Sequence, residues 1–519
     1  MQASLFGLET EYAFTHFAPN GEALNREEGL MRMLHFANNR LLCLRDSGAP
    51  GVYLSNGSRL YIDVGNHPEM STPECSDPWE AVRYMLAGER ILSDLATDVE
   101  RERPNSKASI FRCNVDYLSL QTWGCHESYL HRSQPAALAE EMIPHLVSRL
   151  IYTGAGGFDN RSPGLEFTLS PRVPHLVKKV SNQSTHDRGI FHTKDEPLCT
   201  KGYHRLHILC GESQCSQLGN LLKMGATDLV VRLIEAGVCR GREMALKAPL
   251  YAMRRFSTDS SCTRREALAN GEKRSAIEIQ RHYLECAEAH LSHAFMPSWA
   301  GALCTEWRRM LDCLEDGADG VSTALDWGIK LALYREHARK RGFEWNELRD
   351  WNRLAESSAP KLDDLDAEML MRRRARRRGE AGDGTAQLPL APSFESRGPR
   401  WEKLRSFLAL RAELFEIDTR FGEVGPSGIF TALGVAGVLD HGVSGLRDVE
   451  EAMKQPPAGG RAHERGQAIL SHCREQKRYS VGWQYIVDHK VRRVFDLSDP
   501  FGRNAAWKPL EGVRRFRFG

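Results

Sequence analysis

Two glutamates two residues apart, Glu9 and Glu11 in the stretch GLETEY, are the first residues whose types and spacing could do chemistry. In a strand, alternate residues share a face. Both carboxylates then project to one side beside Gly7 and Ala13, and Phe6, Leu8, Tyr12 and Phe14 take the other. A separation of roughly 7 Å lets each carboxylate bind a different ion of a metal pair. Without cations such a pair is costly to bury, because like charges repel strongly away from water. The stretch NGSRLYIDVGNHPEMSTPEC, residues 56–75, repeats the arrangement. Arg59, Tyr61 and Asp63 fall on one face and Leu60, Ile62 and Val64 on the other, with His67, Glu69 and Glu74 following at once. In GCHESYL, His126 lies opposite Cys125, Glu127 and Tyr129; in YHRLHIL, Arg205 and His207 share a face.

Each of these strands taken alone also reads as a half-exposed strand with its polar side in water. Together they supply hard oxygen ligands, imidazoles and guanidinium groups. That set suits magnesium or manganese with a nucleoside triphosphate better than it suits structural zinc. Arginine matches phosphate oxygens as a bidentate donor. Neither G-x-x-x-x-G-K-[ST] nor a G-x-G-x-x-G opening a helix occurs, and TGAGGFDN (153–160) fits neither spacing. A phosphate site in this chain must therefore be built from strands and metal ions.

The elements that would hold such a face are those of a large globular protein. The 519 residues are 41% hydrophobic and 27% charged, enough for two or more domains with an ordinary core. A net charge of +2 exerts no global pull toward nucleic acid or a membrane. The 13 cysteines form no C-x-x-C, and Cys210 and Cys215 have no second pair to complete a zinc site. That usage suits a reducing cytoplasm. MQASLFGLETEY lacks the basic start of a signal peptide, and GIFTALGVAGVL (428–439) is too short to span a bilayer. The expected location is cytoplasmic.

SLFGLETEYAF reads as one strand. Asp77 as N-cap and Pro78 at the first helical position open a helix, and Gly237 closes another that begins near Ser216. SAIEIQRHYLECAEAHLSHAF and VSTALDWGIKLALYREHARKR are further amphipathic helices. From about 357 to 400 the chain becomes rich in Arg, Gly, Pro and Ser, with six arginines among residues 372–378. This reads as a helix end followed by a flexible insertion. The arginine run is either a solvated terminus or a docking patch for an acidic partner. Order returns near WEKLRSFLALRAELFEID.

In this order, GLETEY, NGSRLYIDVGNHPEMSTPEC, GCHESYL, TKDEP, YHRLHILCGES, EIQRHYL and LDWGIK resemble the motifs of the Pup ligase and depupylase family. GIF, QPP, VGW and DPF continue the likeness, which covers roughly 1–340 and 414–503. The string R-L-Y-x-D-V-G-x-H-P-E is its most specific part. The resemblance implies an α+β fold: a glutamine-synthetase-like curved antiparallel sheet packed with helices, plus a small C-terminal domain. It divides the chain into a catalytic domain (1–344), an Arg-rich insertion (345–412) and a C-terminal domain (413–519).

The activity implied is ATP- and magnesium-dependent. The side-chain carboxylate of the last glutamate of Pup, a small protein tag, is phosphorylated, and a target lysine then displaces phosphate to form an isopeptide bond. By the same resemblance Glu9, Tyr61 and Glu69 are magnesium ligands, Arg59, Thr72 and Trp483 contact ATP, and Asp63 is the catalytic base. Glu11, His126 and His207 take metal roles and Arg205 a phosphate role. The partners implied are a Pup-like tag and lysine-bearing target proteins, with no nucleic acid and no membrane. The alternative is a hydrolase of the same fold that cleaves tag–lysine bonds or deamidates the tag. The short RDSGAPGVY before the strand and the wording DVGNHPE favour the ligase branch. Departures from the family pattern are Met70 after HPE, TKDEPLC with one Arg and one His fewer, His186 in STHDRG, and a single arginine in HRLH.

Overall fold

The computed structural model describes residues 4–63, 65–183, 186–193, 198–199, 202–358, 398–440, 443 and 448–510. Eleven strands form one large sheet. In chain order they are β1 (Phe6–Glu11), β2 (Cys43–Asp46), β3 (Gly51–Leu54), β4 (Arg59–Ile62) and β5 (Pro68–Ser71). These are followed by β6 (Cys125–His131) and β7 (His204–Ile208). The C-terminal segment adds β8 (Tyr479–Gly482), β9 (Tyr485–Asp488), β10 (Arg493–Asp496) and β11 (Ala506–Pro509). Across the sheet they run β7-β6-β1-β5-β4-β3-β2-β8-β9-β10-β11. All neighbours are antiparallel except β8 with β2, where Ser480 faces Arg45 and Val481 faces Asp46 in parallel. Residues from the far end of the chain thus extend the sheet begun at residue 6.

β1, β4 and β6 alternate buried and part-exposed residues along their whole lengths. One face is packed and the other carries the polar set, as their period of two requires. SLFGLETEYAF is not one strand, however. It breaks at Tyr12, whose N–H donates to the Pro68 carbonyl at 3.0 Å. The continuation, Ala13–Phe17, pairs with Lys107–Phe111 in a separate two-stranded sheet. The break serves two cores: Phe6 and Leu8 join one apolar cluster, Tyr12 and Phe14 another.

Helices cover the packed face. α1 (Arg26–Arg40) and α2 (Pro78–Glu102) pack together, and Asp77 caps α2 by accepting the Glu80 N–H at 2.8 Å. α3 (Gln217–Glu235) is buried along nearly its whole length and ends at Gly237, whose φ of 70° suits a residue without Cβ. α4 (Ala276–Ala289) opens with a capping box between Ser275 and Glu278, and α5 (Asp326–Lys340) follows. α6 (Gly460–His472) lies against the sheet near β2 and β3. Helices Leu348–Ser358 and Gly398–Phe421 pack on each other, with Trp351 stacked on Phe407 at 6.1 Å. The arginine run 372–378 lies outside the described residues. Among the described residues no helix is long and apolar enough to cross a membrane. All 13 cysteines are free thiols.

Candidate active site

The register of three central strands assembles the polar face. Glu9 on β1 stands opposite Ser71 on β5 and His126 on β6; Glu11 stands opposite Glu69. One strand further out, Arg59 faces Ser71 and Tyr61 faces Glu69. Residues directly opposite each other in a sheet point to the same side. Two rows result, Arg59–Ser71–Glu9–His126 and Tyr61–Glu69–Glu11.

Within them the Tyr61 hydroxyl donates to Glu9 Oε1 at 2.7 Å and the Ser71 hydroxyl to the same oxygen at 3.2 Å. The His126 ring lies between three carboxylates: Nδ1 is 3.6 Å from Glu9 and 3.9 Å from Glu69, and Nε2 is 3.6 Å from Glu11. His207 on β7 brings its ring centroid to 5.5 Å from that of His126. Two groups of ligand atoms follow, Glu9–His126–His207 and Glu11–Glu69–His126, each with its atoms within 4.8 Å of one another. Ligands about 2.0–2.6 Å from a shared ion lie within such a span, so the donor set fits divalent cations. His126 is shared by the two groups, and Glu11 lies toward Gly124, whose N–H donates to Glu11 Oε2 at 2.7 Å.

The electrostatics fit as well. Burial and the neighbouring Glu9 charge push the Glu69 carboxyl well above its ordinary range. Burial also acts upward on Glu9, but the His126 ring outweighs it and holds that carboxyl low. Burial, with the Arg205 charge, pushes His207 down to about 2, which keeps its imidazole neutral as a ligand requires. Burial and the two carboxylates raise the Tyr61 phenol, so it stays protonated. Three carboxylates around one imidazole want a cation.

At one end of the rows lies a cleft lined by Gly7, Thr72, Arg205, Arg461 and Trp483, with Glu9 at its inner wall. Thr72 Oγ1 accepts the Leu8 N–H at 3.1 Å, and Arg205 reaches His207 Nδ1 at 3.2 Å. Trp483, in the turn between β8 and β9, packs edge-on against Tyr53 at 5.3 Å. Arg59 stands beside the carboxylate–imidazole cluster: its Nε donates to Asp46 at 2.6 Å and its guanidinium lies 3.8 Å from the Tyr61 ring centre. Asp63 lies at the opposite end, one step beyond the Tyr61–Glu11 row. Its carboxylate accepts the His67 N–H at 2.7 Å, and His67 holds its pKa low although burial acts to raise it. An ionised Asp63 is a competent proton acceptor.

Two residues of the site, Arg461 and Arg465 of α6, went unread in the sequence. They hold Glu74, at 2.5 and 2.6 Å, and the Arg465 guanidinium sits 4.8 Å from the Trp483 ring centre. The four-residue spacing of the two arginines puts them on one helix face, the only local signal available. A cavity of about 830 Å³ between α2 and the 421–449 segment, lined by Leu86, Phe421 and Leu439, stands apart from this chemistry.

The family model described as Pup-ligase protein matches residues 4–357. A Pup–protein ligase of Xylanimonas cellulosilytica is 37% identical over 362 residues, covering 67% of this chain and 78% of that protein. A Pup–protein ligase of Arthrobacter sp. strain FB24 is 34% identical over 351 residues, covering 66% and 76%. The crystal structure of the complex between the prokaryotic ubiquitin-like protein Pup and its ligase PafA matches with a TM-score of 0.72 at 24% identity, over 96% of this chain and 90% of that one. The Pup ligase PafA in complex with ADP matches with a TM-score of 0.65 at 24% identity, over 92% and 91%. The α+β fold and the family read from the strand motifs are both borne out: the chain belongs to the Pup-ligase family.

Proposed function

We propose that the chain is an ATP-dependent ligase that activates the side-chain carboxylate of the terminal glutamate of a Pup-like tag and joins it to a target lysine. The observation that carries this reading is the convergence of Glu9, Glu11, Glu69, Tyr61, His126 and His207 between the cleft at Thr72 and Trp483 and the Asp63 carboxylate. Magnesium fits the oxygen-rich donor set, held by Glu9, Glu11 and Glu69 with His126 and His207 and with Tyr61 beside Glu9. When bound it neutralises charge on the transferring phosphoryl group.

The chain's own residues do the rest. Thr72, Arg205 and Trp483 line the nucleotide cleft, and Arg59 stands over the phosphoryl region. A carboxylate is a poor acyl donor until phosphate becomes its leaving group. Asp63 takes a proton from the lysine ammonium, the freed amine attacks the acyl carbon, and the C–O bond to phosphate breaks. We divide the chain as 1–344, catalytic; 345–412, insertion; and 413–519, a C-terminal part. The place of Trp483 and Arg461 in the cleft wall supports a role for that last part in completing the site. The free thiols support a cytoplasmic setting, with the tag and lysine-bearing proteins as partners.

The test supplies the chain with ATP, magnesium and a tag ending in glutamate. Isopeptide bonds to protein lysines should form with release of one ADP and one phosphate each. Release of tag from preformed conjugates without stoichiometric ATP use would assign the hydrolase reading instead.

A further inference from the structure

Resting on the ligase reading, we propose that Arg172 binds the free α-carboxylate of the tag's terminal glutamate and so selects the side-chain carboxylate for activation. Arg172 is buried, at 4% exposure. Its Nη1 donates to the Gly211 carbonyl, and its Nε has no hydrogen-bond partner. The nearby Glu212 carboxylate does not pair with the guanidinium. It accepts instead the Arg172 backbone N–H at 2.9 Å, the Ser170 hydroxyl at 2.7 Å and the Ala155 N–H at 2.7 Å. A buried guanidinium without an ion pair is costly, and a ligand anion repays that cost.

Gly124 lies between it and His126. A Cβ placed on Gly124 would stand 2.7 Å from His126 Nε2 and 3.4 Å from Arg172 Nη1. Any side chain at residue 124 would therefore press on the metal-side imidazole and the guanidinium together. A second cation borders it: Arg188 donates to Thr122 Oγ1 at 2.5 Å, and burial with the Arg172 charge brings its pKa down to about 10. A guanidinium next to a divalent-cation site is stable when an anion sits between them.

Two anions are available at such a site, the terminal phosphate of ATP and a substrate carboxylate, and position decides between them. The nucleotide cleft opens at Gly7 and Leu8. Gly124 and Arg172 lie at the Glu11 end, on the side of Asp63 and His67, where the Trp123 ring lies 5.5 Å from the His67 ring. That is the acceptor side of the metal cluster. A terminal glutamate has two carboxylates whose carbons lie about 5 Å apart when extended. With the α-carboxylate on Arg172, the side chain reaches back to the metal cluster and only its carboxylate meets the phosphoryl group.

The test uses two synthetic tag peptides ending in glutamate, one with a free α-carboxylate and one with an α-carboxamide, ligated with ATP and magnesium. For the wild type, kcat/KM should fall about 10–10²-fold on the amide. Arg172→Gln should show a loss of that size on the acid, no further loss on the amide, and unchanged ADP affinity. Arg172→Lys should restore part of the acid-over-amide preference. Equal wild-type turnover of both peptides would overturn the proposal whatever the variants do. So would an Arg172→Gln enzyme that keeps the preference, or one whose nucleotide affinity falls in step with ligation. A wild type that binds ADP but ligates neither peptide would overturn the ligase reading itself.

Discussion

Glu74 ties the sheet to α6, and removing its charge should loosen the wall of the nucleotide cleft. Its Oε1 accepts from Arg461 Nε at 2.5 Å and its Oε2 from Arg465 Nη2 at 2.6 Å. Arg465 also donates to the Gly57 carbonyl at 3.0 Å and to the Trp483 carbonyl at 3.4 Å. The side chains are 0% exposed for Arg465, 7% for Arg461 and 16% for Glu74. Glu74→Gln keeps the shape and strands two buried guanidinium groups, a loss of about 3–5 kcal/mol. A second route gives a similar size. Burial acts to raise the Glu74 carboxyl, but Arg465 and then Arg461 bring it from 4.5 to about 2. A shift of that size corresponds to roughly 3 kcal/mol, and the partial exposure of Glu74 favours the lower figure. Hydrogen exchange across 460–472, followed by mass spectrometry, should therefore accelerate by about 10²-fold in the variant, with weaker ADP binding. In the wild type the folded carboxyl is depressed. Its contribution is therefore complete above about pH 4.5 and is lost as the pH falls from there toward about 2. Unchanged exchange in α6 together with unchanged ADP affinity would refute the reasoning.

Asp63→Asn removes the proton acceptor while keeping the shape, so lysine attack should slow by about 10²–10⁴-fold with ADP affinity intact; single-turnover ligation measures it. Glu9→Gln should raise the magnesium concentration for half-maximal ATP hydrolysis by at least about tenfold, read from a metal titration, and an unshifted midpoint would exclude Glu9 as a ligand. Gly124→Val should push on His126 and Arg172 and depress ligation while nucleotide binding persists, as isothermal titration with ADP would show.

The strand motifs were legible because a period of two is a local property. The alternation of Phe6, Leu8 with Gly7, Glu9 and of Leu60, Ile62 with Arg59, Tyr61 appears unchanged in the burial of β1 and β4. The helix ends at Asp77 and Gly237 were legible for the same reason, since caps are settled by a few adjacent residues. The break at Tyr12 was not. Nothing in SLFGLETEYAF distinguishes a strand that continues from one that leaves its sheet, and the partner that draws it away, Lys107–Phe111, lies nearly a hundred residues on.

By itself the sequence determined which residues share a face, the hard-oxygen chemistry of that face and the family. All three depend on residue type and short spacing. Tertiary structure alone decided which faces meet. The register that sets Glu9 against both Ser71 and His126 is a choice among many pairings of distant strands, made by the cores they bury. The same holds for the parallel joining of Val481 to Asp46, which brings Trp483 and, from α6, Arg461 to the cleft. Arg172 is the plainest case. Its burial, its vacant Nε and its place across Gly124 from His126 arise only when segments around 124, 172 and 211 converge, and no spacing along the chain encodes that convergence.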